Sequence, residues 1–226
     1  MRREFVSIDA VVFDAYGTLF DTASAARRHA AHLGERWTSL AQIWRDKQLQ
    51  YTWLRGLSGQ WADFWTVTSE ALDFAMGSLN LADPVLRAGL MRTYLTPGAF
   101  PDVADALQHL HQSGKRVGIL SNGSSTMLDG AVQHAGLGGM LSVVLSVDTV
   151  QTFKPHPKVY QLAVDAFELP AHRILFVSSN GWDAWSAKAF GFRVVWCNRS
   201  EQTPERLPCP PDQTVQGLAS LPSLLL

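Results

Sequence analysis

An acid followed by a glycine and a hydroxyl, Asp14-x-x-Gly17-Thr18, stands directly after an apolar run, Ile8–Phe13. Such an acid is a fixed negative charge on rigid backbone, and Gly17 lets the loop turn tightly or approach a ligand. Three further polar clusters follow later apolar runs: Ser121-Asn122-Gly123-Ser124, Lys154-Pro155-His156-Pro157 and Ser178-Ser179-Asn180-Gly181-Trp182-Asp183. Amides at a helix start can hold an anion, and a lysine can offset a carboxylate. Taken singly, each cluster also reads as a polar turn, a capped helix start or a solvated charge. Taken in order, each after a strand, they form a set. His156 reads as a solvated turn residue. The seven histidines lack ligand spacing, and Cys197 and Cys209 suggest neither a metal site nor a disulfide framework.

Five apolar runs position these clusters: Ile8–Phe13, Arg116–Leu120, Val143–Val147, Ile174–Val177 and Arg193–Trp196. Continuous rather than alternating apolarity suits strands covered on both faces. Helical patterns lie between the later runs: Val103–His111 after Pro101-Asp102, a segment from Ser124-Ser125 to Gly136, and Val159–Phe167. This alternation predicts an α/β fold, a doubly wound parallel sheet of Rossmann-like type. The first connection breaks the rhythm with four helical patterns, Ala23–Leu33, Ser39–Leu57, Trp61–Leu79 and Pro84–Leu95. Residues 22–97 are therefore expected to be an inserted helical cap domain, with 1–21 and 98–226 the core domain. A cap inserted after the first strand would sit over the carboxyl ends of the strands, where such sheets bind ligands. The Pro-rich tail ends in the apolar Leu218–Leu226, expected to pack back on the core.

The 226 residues are 46% apolar and 17% charged, which excludes intrinsic disorder. Nineteen basic against twenty acidic residues leave a net charge of -1, so no basic surplus points to nucleic acid. No apolar run approaches a membrane span, and Met1-Arg2-Arg3-Glu4-Phe5 lacks the apolar segment of a signal peptide. A reduced, cytoplasmic protein is expected. Five of the eight tryptophans lie in the inserted segment; Trp37, Trp53, Trp61 and Trp65 read as packing within the cap.

The ordered motifs resemble those of the haloacid dehalogenase superfamily. The full first motif DAYGTLFD and the string Ile43-Trp44-Arg45-Asp46-Lys47-Gln48-Leu49-Gln50-Tyr51-Thr52-Trp53-Leu54 are similar to the L-2-haloacid dehalogenases (type II). So are Ser146-Val147-Asp148, Lys154 through Val159-Tyr160, and Phe176 through Asp183. Most superfamily members transfer phosphoryl groups with Mg²⁺ and carry a second acid two residues after the first. Here Tyr16 stands there, with Ser179-Asn180 in place of the common fourth-motif Gly-Asp pair and Asp183 the surviving acid, which weakens metal binding and phosphoryl transfer together.

The resemblance implies a hydrolase that converts short L-2-haloacids to D-2-hydroxyacids through an aspartyl ester, with neither metal nor cofactor. Asp14 would be the nucleophile, Lys154 its counter-charge, and Arg45, aided by Asn180, the acceptor of halide. Asp183 would activate water; Thr18, Tyr160 and Ser178 would orient the charges. Ser121, Asn122 and nearby loop amides would hold the substrate carboxylate. Tyr16, Leu49, Phe64 and Trp182 would form an apolar wall. Substrate, water and halide are the implied partners, and a homodimer is compatible. Two alternatives stay open: a Mg²⁺-dependent small-molecule phosphatase, and a hydrolase opening a strained ring such as azetidine-2-carboxylate. Trp185, where relatives often carry a small residue, departs from the pattern.

Overall fold

Strand β1, Ala10–Phe13, is buried at every position; Val11, Val12 and Phe13 each gain about 1.5–3 kcal/mol by leaving water. The structure, a computed structural model, describes Phe5 and residues 7–225. The expectations about the N-terminal leader region and about Leu226 fall wholly or partly outside those residues.

Five helices follow β1: α1 (Ser24–Arg28), α2 (Ala30–Leu33), α3 (Arg36–Ser58), α4 (Phe64–Ser78) and α5 (Pro84–Tyr94). The expected single helix Ala23–Leu33 is broken at His29, whose backbone leaves helical geometry and whose Nε2 lies 3.1 Å from Thr93 Oγ1 on α5. Helix α4 starts later than expected because Asp63 caps it, accepting from Thr66 N at 2.7 Å. Asp83 caps α5 in the same way, with Pro84 in its first turn.

The chain then runs α6 (Val103–Gln112), β2 (Arg116–Ser121), α7 (Ser125–His134), β3 (Val143–Ser146), α8 (Pro157–Phe167) and β4 (Ile174–Ser178). It closes with α9 (Gly181–Phe190), β5 (Arg193–Cys197), β6 (Gln213–Val215) and α10 (Leu221–Leu225). The six strands form one parallel sheet in the order β3-β2-β1-β4-β5-β6. This is the expected doubly wound α/β fold, with β6 an addition. Gln213-Thr214-Val215 is a short edge strand without an apolar run, so periodicity gives no signal for it. Leu218 and Leu221 are buried against α6, as the apolar tail implied.

The sheet reverses direction beside β1: β2 and β3 extend one way, β4 to β6 the other. Phe13 is in register with Ile119 on β2 and Val177 on β4. The loops after these three strands therefore open at one edge, at the switch point where such sheets place ligands. No helix among the described residues is long and apolar enough to cross a membrane.

Candidate active site

Asp14 leaves β1 into a loop that must turn at once, and Gly17 makes the turn with φ +95°, a conformation that favours glycine. The Asp14 carboxylate, nearly buried, collects three donors. Thr18 Oγ1 donates to Oδ2 at 3.0 Å, Asn180 Nδ2 to the same oxygen at 2.8 Å, and Lys154 Nζ to Oδ1 at 3.0 Å. Lys154 is 1% exposed, and its ammonium also donates to Asp183 Oδ2 at 2.9 Å. Tyr160 donates to the other Asp183 oxygen at 2.8 Å. One ammonium thus bridges two buried carboxylates, and each carboxylate has its remaining oxygen hydrogen-bonded.

Burial and the nearby Asp14 charge raise the pKa of Asp183, although Lys154 and Tyr160 oppose the rise. For Lys154, burial acts to lower the pKa, but the two carboxylates outweigh it and keep the ammonium charged. Burial followed by the Asp183 charge pushes the Tyr160 phenol well above its usual value, so it serves as a neutral donor.

The second layer fixes these groups. Ser179 N donates to Thr18 Oγ1 at 2.8 Å, and Asn180 N to Ser178 Oγ at 3.2 Å. Lys154 N donates to Asn122 Oδ1 at 2.9 Å, tying the β2 loop to the lysine. Ser121 Oγ accepts from Gly123 N at 3.0 Å. A Cβ at Gly123 would meet the Tyr16 ring at 2.8 Å, so this loop can lie against Tyr16 only with glycine there.

Arg45 reaches the core from α3. Its Nη2 donates to Tyr16 O and to Asn180 Oδ1, each at 3.2 Å. The Asn180 amide therefore joins Arg45 on one side to Asp14 on the other. A small cavity is lined by Asp14, Tyr16, Arg45, Leu49, Phe64, Ser121, Asn122, Lys154, Asn180 and Trp182. Four of the sequence-assigned residues, Thr18, Tyr160, Ser178 and Asp183, do not line it and stand one layer behind. The Tyr16 ring stacks on Tyr94 with centroids 5.7 Å apart. Its hydroxyl is buried without a hydrogen-bond partner, and burial raises its pKa, keeping it neutral.

Three sequence expectations need correction. The loop amides suggested for substrate carboxylate are partly engaged: Gly123 N by Ser121, and Ser125 N by Asp148 Oδ2 at 2.8 Å. Ser124 makes no side-chain cap on α7, since Asp148 takes that place. Trp53 and Trp61 do not merely pack the inserted helices. Trp53 meets Trp182 edge-on at 5.4 Å, and Trp61 lies 4.7 Å from Phe153, both contacts crossing to the core. Trp44 is the one in the interior of the insertion, donating to Thr68 O at 2.8 Å. His156 is exposed and caps α8, accepting from Lys158 N at 3.1 Å, as a turn residue should. Trp185 is buried edge-on against Trp196, 5.3 Å away. Trp196 Nε1 in turn donates to Ser179 O at 3.2 Å, so this departure packs beneath the fourth loop.

Sequence reasoning missed Arg199. It donates twice to Thr18 O, at 3.1 and 3.3 Å, and pairs with Asp102 at 2.8 and 3.0 Å. It follows β5, so the rule that found the other clusters could have found it.

A divalent ion is poorly matched by these donors. The space between Asp14 and Asp183 is filled by an ammonium, and an amide N–H faces Asp14 where a further oxygen ligand would be needed.

The family model for haloacid dehalogenase-like hydrolases matches residues 8–191. (S)-2-haloacid dehalogenase 1 of Pseudomonas sp. (strain CBS-3) is 42% identical, over 97% of each chain. A solved dehalogenase structure with an intermediate complex superposes with TM-score 0.95 at 41% identity, over 97% of each chain. The L-2-haloacid dehalogenase of Xanthobacter autotrophicus, solved with chloropropionic acid covalently bound, gives TM-score 0.90 at 38% identity, over 96% of this chain and 98% of that one. With ordered motifs, sheet topology and whole-length similarity in agreement, the chain belongs to the haloacid dehalogenase-like hydrolases, among the relatives of the (S)-2-haloacid dehalogenases.

Proposed function

We infer that the protein hydrolyses short L-2-haloacids to D-2-hydroxyacids through an ester on Asp14. The observation that carries this reading is the opposition of charges across one small cavity. Asp14 lies on its Lys154 counter-charge, and Arg45 reaches in from α3.

In the first step an Asp14 oxygen attacks C2 from the face opposite the halogen. A carbon–oxygen bond forms as the carbon–halogen bond breaks, and the halide departs with the bonding pair toward Arg45 and Asn180. In-line placement of a weak nucleophile supplies much of the rate. The charges around it are already fixed by hydrogen bonds, so little reorganisation is needed. Ser121 and Asn122 hold the substrate carboxylate, and Tyr16, Leu49, Phe64 and Trp182 keep bulk water out.

In the second step water attacks the Asp14 carbonyl carbon and gives its proton to Asp183, the remaining carboxylate beside the ester. The ester bond breaks, its departing oxygen, which came from Asp14, takes the proton held by Asp183, and the hydroxyacid leaves; loss of the proton on the new carboxyl group to solvent restores the Asp14 carboxylate. A raised Asp183 pKa suits this base, since it brings the group nearer neutrality. Thr18, Tyr160 and Ser178 act as positioning residues. Residues 22–97 serve as a cap over this chemistry.

The direct experiment is release of halide and D-lactate from L-2-chloropropionate with chelator present. Asp14→Asn should lower it by at least about 10⁴-fold, a nucleophile-sized loss. Full activity in that variant, or no halide released by the wild type, overturns the reading. Phosphate release from p-nitrophenyl phosphate that vanishes with chelator would favour the phosphatase instead.

A further inference from the structure

The cavity beside Asp14 is narrow. Next to it lies a cleft of about 460 Å³ between the C-terminal half of α3 and the core. Trp53 and Leu57 come from α3, Phe153 from the loop before α8, and Leu207 from the segment after β5. Lys154 and Trp182 line both spaces, so the two share a wall. Among the described residues no carboxylate or guanidinium lines the cleft. Leu57 is 88% exposed and Leu207 48% exposed, apolar surface left to water on opposite sides of it.

Trp182 stands in that wall. Its ring is held by the edge-on contact with Trp53, and its Nε1 is buried with no hydrogen-bond partner among the described residues. Turning the ring aside therefore breaks no hydrogen bond and gives the indole N–H access to a partner.

We propose that the cleft is a subsite for the alkyl tail of 2-haloalkanoates longer than three carbons, joined to the catalytic cavity by rotation of Trp182. The proposal rests on the dehalogenase reading above. The substrate carboxylate and C2 are held among charged groups that fix their place, in the narrower of the two spaces. The adjoining space is walled largely by apolar side chains, Trp53, Leu57, Phe153 and Leu207, and is large enough for an alkyl chain. Burying each further methylene against it adds about 0.8 kcal/mol.

The test measures kcat/KM for L-2-bromopropionate and L-2-bromohexanoate in the wild type and in two variants that fill or charge the cleft. Gly56 faces it from α3, and a Cβ there would meet Thr152 Oγ1 at an ordinary 3.8 Å. Gly56→Phe should lower kcat/KM for bromohexanoate at least about tenfold and leave bromopropionate within about twofold. Leu207→Asp should give the same pattern from the opposite wall, and it lies outside helix and sheet, so its folding is independent of the first variant. A chain-length profile unchanged in both variants overturns the subsite. Equal loss on both substrates also overturns it, since the cleft would then be a common passage. Wild-type turnover of bromopropionate without bromohexanoate overturns the subsite alone; no turnover of either overturns the dehalogenase reading beneath it.

Discussion

Two buried polar networks face each other across the seam between inserted helices and sheet. In the sheet, Lys154 bridges Asp14 and Asp183, and Tyr160 and Thr18 complete the hydrogen bonds. Among the inserted helices, Gln48 Nε2 donates to Thr68 Oγ1 at 2.9 Å, Tyr94 donates to Gln48 Oε1 at 3.1 Å, and Trp44 donates to Thr68 O at 2.8 Å. Gln48, Thr68, Lys154 and Asp183 are all essentially removed from water. The difference is charge. A neutral network that is fully paired only fixes how helices pack. A charged one demands far more desolvation, and here two anions share one cation. Net negative charge left inside a sheet is tolerable where function uses it. The neutral network lies one helical turn from Arg45 on α3, so its work is to hold the helix from which that guanidinium reaches across.

Breaking the charged side should cost most. Lys154→Met strands two carboxylates without a counter-charge, and a loss of about 3–5 kcal/mol is expected in urea unfolding, together with loss of halide release. A midpoint unchanged from wild type would show that the ammonium is not what holds the carboxylates together.

Gln48→Leu tests the neutral side. It leaves the Tyr94 and Thr68 hydroxyls short of a partner and should destabilise by about 1–3 kcal/mol. Halide release measured well below the unfolding temperature should persist. If activity falls as completely as in the lysine variant, the two networks are one functional unit and the contrast fails.

The finest test is a pH profile. The Tyr160 hydroxyl donates to the ionised form of Asp183 and so holds its pKa down against burial. Tyr160→Phe removes that support, so the Asp183 pKa rises further. On the proposed mechanism Asp183 must be ionised to accept a proton, so the acid limb of kcat should move to higher pH. A limb that stays in place, or moves down, would separate Asp183 from the proton transfer.

The sequence carried the sheet well because β1 and most of β2, β4 and β5 are apolar, which is what burial on both faces requires. It carried the site less evenly, because the residue types that cap helices are also those that bind ligands. Asn180 and Asp102 both stand where a helix begins, and neither caps it. Asn180 turns to Asp14 and Arg45, and Asp102 to Arg199 and to Leu218 N. Asp63 and Asp83, at similar positions, do cap. Local pattern cannot separate the two fates, since the deciding partner lies far along the chain. For the same reason the Gln48–Tyr94 bond and the role of Arg199 carried no sequence signal beyond position.

The strand that leads into Asp14 is made before the other strands of this sheet and is among the last to be completed. Its two neighbours in the sheet begin at Arg116 and Ile174, and Lys154 lies 140 residues beyond its partner Asp14. Until those segments exist, Ala10-Val11-Val12-Phe13 is an unpaired apolar strand, the kind of segment on which other chains can template. Helices α3 and α4, adjacent in sequence, can meet long before that. Placing Asp14 directly after the central strand thus makes the newborn chain depend on protection of a four-residue segment that the finished protein hides completely.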